Sequence, residues 1–379
     1  MPEIVIKNAT KKFGDFVAVD QLDITIKDKG FVTLLGPSGC GKTTTLRMIS
    51  GLESPTEGEI YIDGELVFSA SKGIDWPPAK RDVGFLFQSY ALWPHMTVEQ
   101  NIAFGLENLK WRKADIKHRI GELTELLKIE EFTHRYPAEL SGGQQQRVAI
   151  ARTLAPNPRV LFMDEPLSNL DAKLRIEMRA ELKRLHLETN STFVYVTHDQ
   201  LEAMTLSSRV CLMKEGRVQQ YAAPLEVYNK PTNLFCADFV GNPTMNFIDV
   251  VCEKADPADI LLASEGHFFK FTPVGGQAVL RQGQNLTLGL RPEHVSLSEG
   301  GAIKSKVYST LPSGMETIVI VRMGETLLTS VAFGGLDYEV DSEIGLSLNY
   351  DNYILFDKTS GSNIATGSLK IVQKDSASS

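Results

Sequence analysis

The sequence predicts an α/β domain over residues 1–235 followed by a small all-β domain over 236–379. Three observations carry that prediction. Short apolar runs at Phe31–Leu35, Val160–Met163 and Thr192–Val196 have the character of buried parallel strands, and helical periodicities separate them. The first run leads directly into a glycine-rich turn and a helix. Beyond Cys236 the helical period fades into short alternating runs broken by Gly and Pro, the pattern of a β-barrel or sandwich.

Length and composition fit that division. A chain of 379 residues is long for one average domain and suits two. Hydrophobic residues at 42% and charged residues at 23% are those of a soluble globular protein. With 47 acidic and 39 basic side chains the net charge is -8, without the basic footprint of a dedicated nucleic-acid binder, so no nucleic-acid partner is expected. Cys40, Cys211, Cys236 and Cys252 form neither a CxxC pair nor a disulfide framework, which points to a reducing compartment. The amino terminus lacks the pattern of a secretory signal. No apolar run approaches the ~18 residues of a membrane-spanning helix, so any membrane role is expected to come through partner subunits.

Taken in order, Phe31–Leu35 is the strand that feeds Gly36-Pro37-Ser38-Gly39-Cys40-Gly41-Lys42-Thr43. In such a loop backbone N–H groups converge on phosphate oxygens, so side chains must be absent where the chain curls. Lys42 supplies a charge for the β- and γ-phosphates, and the Thr43 hydroxyl can ligate Mg²⁺. The helix from Thr43 to Ser50 presents its positive end to the anion and closes at Gly51. If Cys40 were a regulatory thiol, the anion-binding field would lower its pKa; a tolerated small residue is the simpler reading.

Gln88 follows the strand Val83–Phe87, where it could reach both a metal and a water. Lys110–Glu131, with Ile116, Ile120, Leu123 and Leu127, reads as an amphipathic surface helix. Leu140-Ser141-Gly142-Gly143-Gln144 is a second glycine turn. There Ser141 is the N-cap and Gln144 the third helical residue of a capping box, so the helix start offers another phosphate cradle. Each glycine turn occurs once, which suggests half of a shared nucleotide site completed by a second copy of the chain or a homologue. The strand from Arg159 ends in Asp164-Glu165, whose carboxylates should point to opposite sides. Asp164 suits Mg²⁺ and Glu165 a general base. Asp171–Leu187 has a helical period, and His198, just past Thr192–Val196, could sense a γ-phosphate.

Together these motifs resemble the ATP-binding cassette family over about the first 235 residues. The order matches: P-loop Gly36–Thr43, Q-loop Gln88, signature Leu140–Gln144, Walker B Val160–Asp164 with Glu165, D-loop Ser168-Asn169-Leu170-Asp171 and switch His198. The resemblance implies a P-loop NTPase with a RecA-like core, a helical subdomain inserted over about 89–155, and a carboxy-terminal OB-like (TOBE) domain, whose small polar end over about 373–379 reads as a frayed tail. It implies ATP and Mg²⁺ as cofactors, with Thr43, Gln88 and Asp164 at the metal. Lys42, Gln88, Glu165 and His198 would serve catalysis. Phe13 would stack on adenine, with Phe16 as a competitor, and Gly36, Pro37, Ser38, Gly39, Cys40, Gly41, Lys42, Thr43, Thr44 and Gln88 would contact nucleotide.

The family's architecture implies a head-to-tail dimer, each ATP lying between one subunit's P-loop and the other's signature. Gln88–Val98, Asn169–Arg175 and Gly289-Leu290-Arg291-Pro292-Glu293-His294 are similar to the ATPases of bacterial carbohydrate importers, the group that includes the maltose importer. That group usually has Tyr where Trp93 stands, a departure read as mechanistically neutral. The implied partners are a second ATPase, two membrane permeases gripped near Gln88–Gly105, an extracytoplasmic solute-binding protein acting indirectly, and a regulatory protein on the β domain. The implied location is the cytoplasmic face of the cell membrane. Glycerol phosphate, polyamine, ferric iron or sulfate are alternative cargoes, and a soluble non-transport ATPase is the reading from a different class.

Overall fold

A computed structural model describes residues 3–256, 259–274, 278–348 and 350–372. The chain forms two compact units, 1–224 and 225–379. In the first, the strands Phe31–Leu35, Val160–Asp164 and Thr192–Thr197 are buried along their whole length, as strands covered on both faces must be. They lie in a six-stranded sheet of order Arg217–Ala222, Arg209–Lys214, Phe31–Leu35, Thr192–Thr197, Val160–Asp164, Val83–Leu86. Every pair is parallel except the edge hairpin Arg209–Lys214/Arg217–Ala222. Leu35 is in register with Thr197, and Val196 with Asp164. The carboxyl ends of three strands therefore finish at one level, where open α/β sheets bind ligands.

The unit also holds a five-stranded antiparallel sheet of order Phe16–Ile26, Ile4–Phe13, Glu57–Ile62, Glu65–Ser69, Ile74–Asp75 and, besides the helices Lys42–Ser50, Ala172–Thr189 and Gln200–Leu206, three helices that pack together. Those helices are Val98–Asn108, Lys113–Leu127 and Gly142–Leu154, and their apolar faces share one core cluster. The middle one is shorter than its charged surroundings predict. Lys128 turns left-handed (φ 56°) and donates to Glu125 O and Thr124 O, which stops the helix. The expected stripe of Ile116, Ile120, Leu123 and Leu127 is buried as a helical period requires.

In the second unit a closed barrel runs Asn246–Asp256, Asp259–Ser264, His267–Pro273, Asn363–Val372, Tyr353–Asp357, Asn285–Leu290, and closure leaves it no free edge. Beside it stands a five-stranded antiparallel sheet, Ser296–Ser298, Glu343–Ser347, Ile303–Pro312, Glu316–Met323, Thr326–Phe333. The two share one apolar core. Asn246 ties them, its amide donating to Thr329 O at 2.8 Å and accepting from Thr329 N at 2.7 Å. The division between units precedes the change of sequence texture at Cys236, because the helix Leu234–Phe239 and most of Pro224–Asn229 belong to the β unit. Arg291 holds both, donating to Tyr228 O, Ala237 O and Val240 O. The frayed tail expected at 373–379 lies outside the described residues.

Candidate functional site

The loop after Phe31–Leu35 curls because glycine stands where a side chain cannot. A Cβ on Gly36 would run into Met213 O and Cys40 Sγ, and Gly41, at φ 100°, would press one against Ala18 O at 2.5 Å. Gly41 caps the helix Lys42–Ser50, and Gly51 closes it in a left-handed conformation. Lys42 is only 5% exposed, and its ammonium donates to Gly36 O at 2.8 Å and Pro37 O at 2.9 Å. The charge is thus held at the centre of the loop by the loop's own carbonyls. Ser38 and Gly39 face solvent, while Thr43 and Thr44 are half-buried at the helix start.

Thr43 Oγ1 donates to Asp164 Oδ1 at 2.8 Å, which joins the P-loop to the carboxyl end of the neighbouring strand system. Burial pushes the Asp164 carboxyl above its ordinary range, and the Thr43 hydrogen bond and Arg47 pull it back. This pair fits Mg²⁺: two hard oxygens are what that ion takes from protein when phosphates and water supply the rest. Among the described residues no cluster of three His, Cys, Asp or Glu forms a self-sufficient metal site.

Glu165 diverges from Asp164 for a different reason than strand alternation. It has left the strand in a left-handed turn (φ 45°), its N–H donating to Val196 O at 3.0 Å. That turn brings its carboxylate within 3.3 Å of His198 Nδ1, which arrives from the end of Thr192–Thr197. His198 remains 58% exposed and Glu165 22% exposed, so both are open to a ligand. Gln88 Nε2 donates to Ser168 Oγ at 3.4 Å, Asn169 Nδ2 donates to Gln88 O at 3.3 Å, and Ser168 Oγ donates to Glu165 O at 2.9 Å. The Q-loop, the carboxylate end and the D-loop are therefore one network. Asp171 caps the following helix Ala172–Thr189 through Leu174 N.

Ser141 and Gln144 form the expected reciprocal capping box, Ser141 N to Gln144 Oε1 at 2.8 Å and Gln144 N to Ser141 Oγ at 3.4 Å. Leu140 is buried, Ser141 and Gly142 are exposed, and a Cβ on Gly143 would meet the Leu174 side chain at 2.5 Å. The signature thus packs on the start of the D-loop helix. No hydrogen bond or ion pair among the described residues joins it to Gly36–Thr43. Phe13 (49% exposed) and Phe16 (62%) pair across a hairpin at the end of the antiparallel sheet. The Lys11 ammonium lies 4.7 Å from the Phe13 ring.

Comparison with known proteins matches residues 19–168 to the ABC transporter family model and residues 241–295 to the MalK OB fold domain. The trehalose/maltose import ATP-binding protein MalK of Thermococcus litoralis is 42% identical over 96% of this chain and 100% of its own length. The spermidine/putrescine import ATP-binding protein PotA of Roseobacter denitrificans is 43% identical over 92% of this chain and 93% of its own. The chain belongs to the ABC transporter ATPases. Among solved structures, a dimeric post-hydrolysis ATP-binding cassette bound to ADP and Pi matches 58% of the chain and 98% of its own, at 36% identity and TM-score 0.51. The protein is an ATP-binding ATPase of an ABC importer, of the kind that dimerises and works with membrane permeases. No helix among the described residues is long and apolar enough to cross a membrane.

Two positions of this ABC ATPase gain detail from the structure. Cys40 is 3% exposed, and burial raises its thiol pKa, with the Lys42 charge opposing, so it lacks the environment of a reactive thiol. Trp93 is closely packed: the Arg152 guanidinium lies 4.7 Å from its ring centre, and the Phe104 ring lies 4.2 Å away at a tilt of 47°. Arg152 and Tyr90 were invisible to motif reasoning, because their partners are backbone carbonyls. Tyr90 OH donates to Pro166 O at 3.3 Å, beside Glu165.

Proposed function

We propose that this importer ATPase drives carbohydrate uptake as a head-to-tail dimer whose two sites each hold Mg-ATP. The observation that carries the dimer is the separation within one chain of two anion cradles. Gly36–Thr43 ends a central strand, whereas the exposed Ser141 and Gly142 crown a helix packed on Leu174. A second copy would bring its signature over the first copy's P-loop. Phe13 would stack on adenine, the loop amides and Lys42 would neutralise the phosphates, and Thr43, Asp164 and Gln88 would hold the metal, which screens the phosphate charge. Glu165 would accept the proton of the attacking water, and His198, within reach of Glu165 and open to solvent, would contact the γ-phosphate.

Coupling to permeases at the cytoplasmic membrane face is supported by an open cleft of about 600 Å³ lined by Phe85, Phe87, Trp93, Phe104 and Leu109. Its apolar lining suits a short helix from a permease. The relative named for trehalose and maltose import supports carbohydrate as cargo, and the one named for spermidine and putrescine favours polyamine as the second reading.

The Glu165→Gln variant tests the chemistry. It should lose about 10²–10⁴ of kcat, the range of a general base, while still binding ATP and shifting toward a dimer by size exclusion. Turnover near the original rate would remove Glu165 from the base role, and a monomer under saturating ATP would remove the composite site. Uptake of labelled maltose-class sugars against spermidine in a strain lacking the gene separates the cargo readings.

A further inference from the structure

Arg152 closes the helix that begins at the signature, Gly142–Leu154, and reaches back to the segment after Gln88. Its two terminal nitrogens donate to consecutive carbonyls, Ala91 O at 2.6 Å and Tyr90 O at 2.7 Å. Tyr90 and Ala91 are themselves unusual, both left-handed at φ 60° and 47° without being glycine. A bulky aromatic residue in that region is an outlier that persists only where its surroundings over-determine it. A planar guanidinium suits the task because it presents parallel donors to neighbouring acceptors, which an ammonium cannot do. Arg152 makes no ion pair with a carboxylate among the described residues; its charge faces the two carbonyls and the Trp93 ring.

The turn it grips has a second face. Tyr90 OH donates to Pro166 O, the residue after Glu165, and two positions earlier Gln88 Nε2 donates to Ser168 Oγ. The chain from signature helix to Arg152, to the Tyr90–Ala91 turn, to Gln88 and the Glu165 loop is therefore continuous contact. Arg152 also lines the apolar cleft next to Trp93 and Phe104.

We propose that Arg152 is a positioning residue for ATP hydrolysis. Its fork holds the left-handed Tyr90–Ala91 turn and thereby sets Gln88 and the backbone beyond Glu165. A partner element seated in the cleft would bear on Trp93 and alter that grip. The proposal rests on Gln88 and Glu165 as hydrolytic groups, and the experiment keeps the two separable.

The full chain is compared with Arg152→Ala, Arg152→Lys, Gln88→Ala and the double variant Ala91→Gly/Arg152→Ala, measuring nucleotide affinity with a fluorescent ATP analogue and kcat separately. Arg152→Ala should lower kcat about ten-fold or more with ATP affinity changed less than about two-fold, and Arg152→Lys should resemble it. Glycine at 91 removes part of the left-handed penalty, so the double variant should recover at least about three-fold of the lost rate, a rescue that general structural damage would not give. Unchanged kcat in Arg152→Ala overturns the proposal, as does a loss that Ala91→Gly leaves untouched. If Gln88→Ala alone is silent while Arg152→Ala is not, the role of Gln88 fails and the latch stands through Tyr90 and Pro166.

Discussion

Lys42 in the first unit of this ABC ATPase and Arg291 in the second are both buried cations, and they are buried to different ends. Lys42 donates to two carbonyls of its own loop, a compact point charge held where that loop would receive a phosphate. Arg291, 1% exposed, is committed: both terminal nitrogens donate to backbone carbonyls from two separate helices, and its plane lies 4.0 Å from the centre of the Tyr228 ring. The histidines repeat the contrast. His198 stands exposed beside Glu165, whereas His294 is buried against Tyr350 at a ring distance of 3.5 Å, its Nδ1 without a hydrogen-bond partner among the described residues. Burial alone therefore does not mark function. Nor do backbone partners alone mark architecture: Lys42 bonds the carbonyls of the loop that would hold a phosphate, whereas Arg291 bonds the ends of two helices remote from any such loop.

That contrast can be broken by substitution. Lys42→Ala should weaken ATP binding by about 1.5–3 kcal/mol, the worth of hydrogen bonds to a charged group, and reduce hydrolysis by a further ~10²–10³. Its melting temperature should fall less than that of the Arg291 variant, because the half-buried Pro37 carbonyl can turn to water. A Lys42→Ala chain that binds ATP normally would place the phosphates elsewhere. Arg291→Met should do the reverse, costing about 2–5 kcal/mol of stability in the β unit because buried carbonyls lose their donor, with ATP affinity intact. Scanning calorimetry that shows no downward shift would sink the structural role.

The smallest effect concerns pH. Burial lowers the His294 pKa, so the unfolded state binds the proton more readily. Stability of the β unit should accordingly rise with pH through the usual histidine range and be lost as pH falls below about 6.5. Replacing His294 by Phe should flatten that part of the profile between pH 7 and 5. A profile unchanged by the substitution would assign the pH dependence to another group.

Much of the site could be read in advance because it is local. The capping box at Ser141 and Gln144 depends on residues within a few positions, and the left-handed backbone of Gly41 is a local demand of the loop, even though the remote Met213 and Ala18 carbonyls close the space around Gly36 and Gly41. Other features resisted reading for the opposite reason. The helix Lys113–Leu127 is ended by one left-handed Lys128, which the charged, periodic stretch around it does not display. Trp93 gained its meaning only from Arg152, a residue remote in sequence.

The sequence by itself determined the nucleotide loop, the alternation of strands and helices, and the loss of helical period after Cys236, since each follows from short-range conformational rules and hydrophobic period. Only the tertiary structure decided that Glu165 meets His198, that Thr43 meets Asp164, and that the β strands after Cys236 close a barrel beside a second sheet. Those pairings depend on strand register and on a left-handed turn at Glu165, which long-range hydrogen bonding selects and local preference opposes.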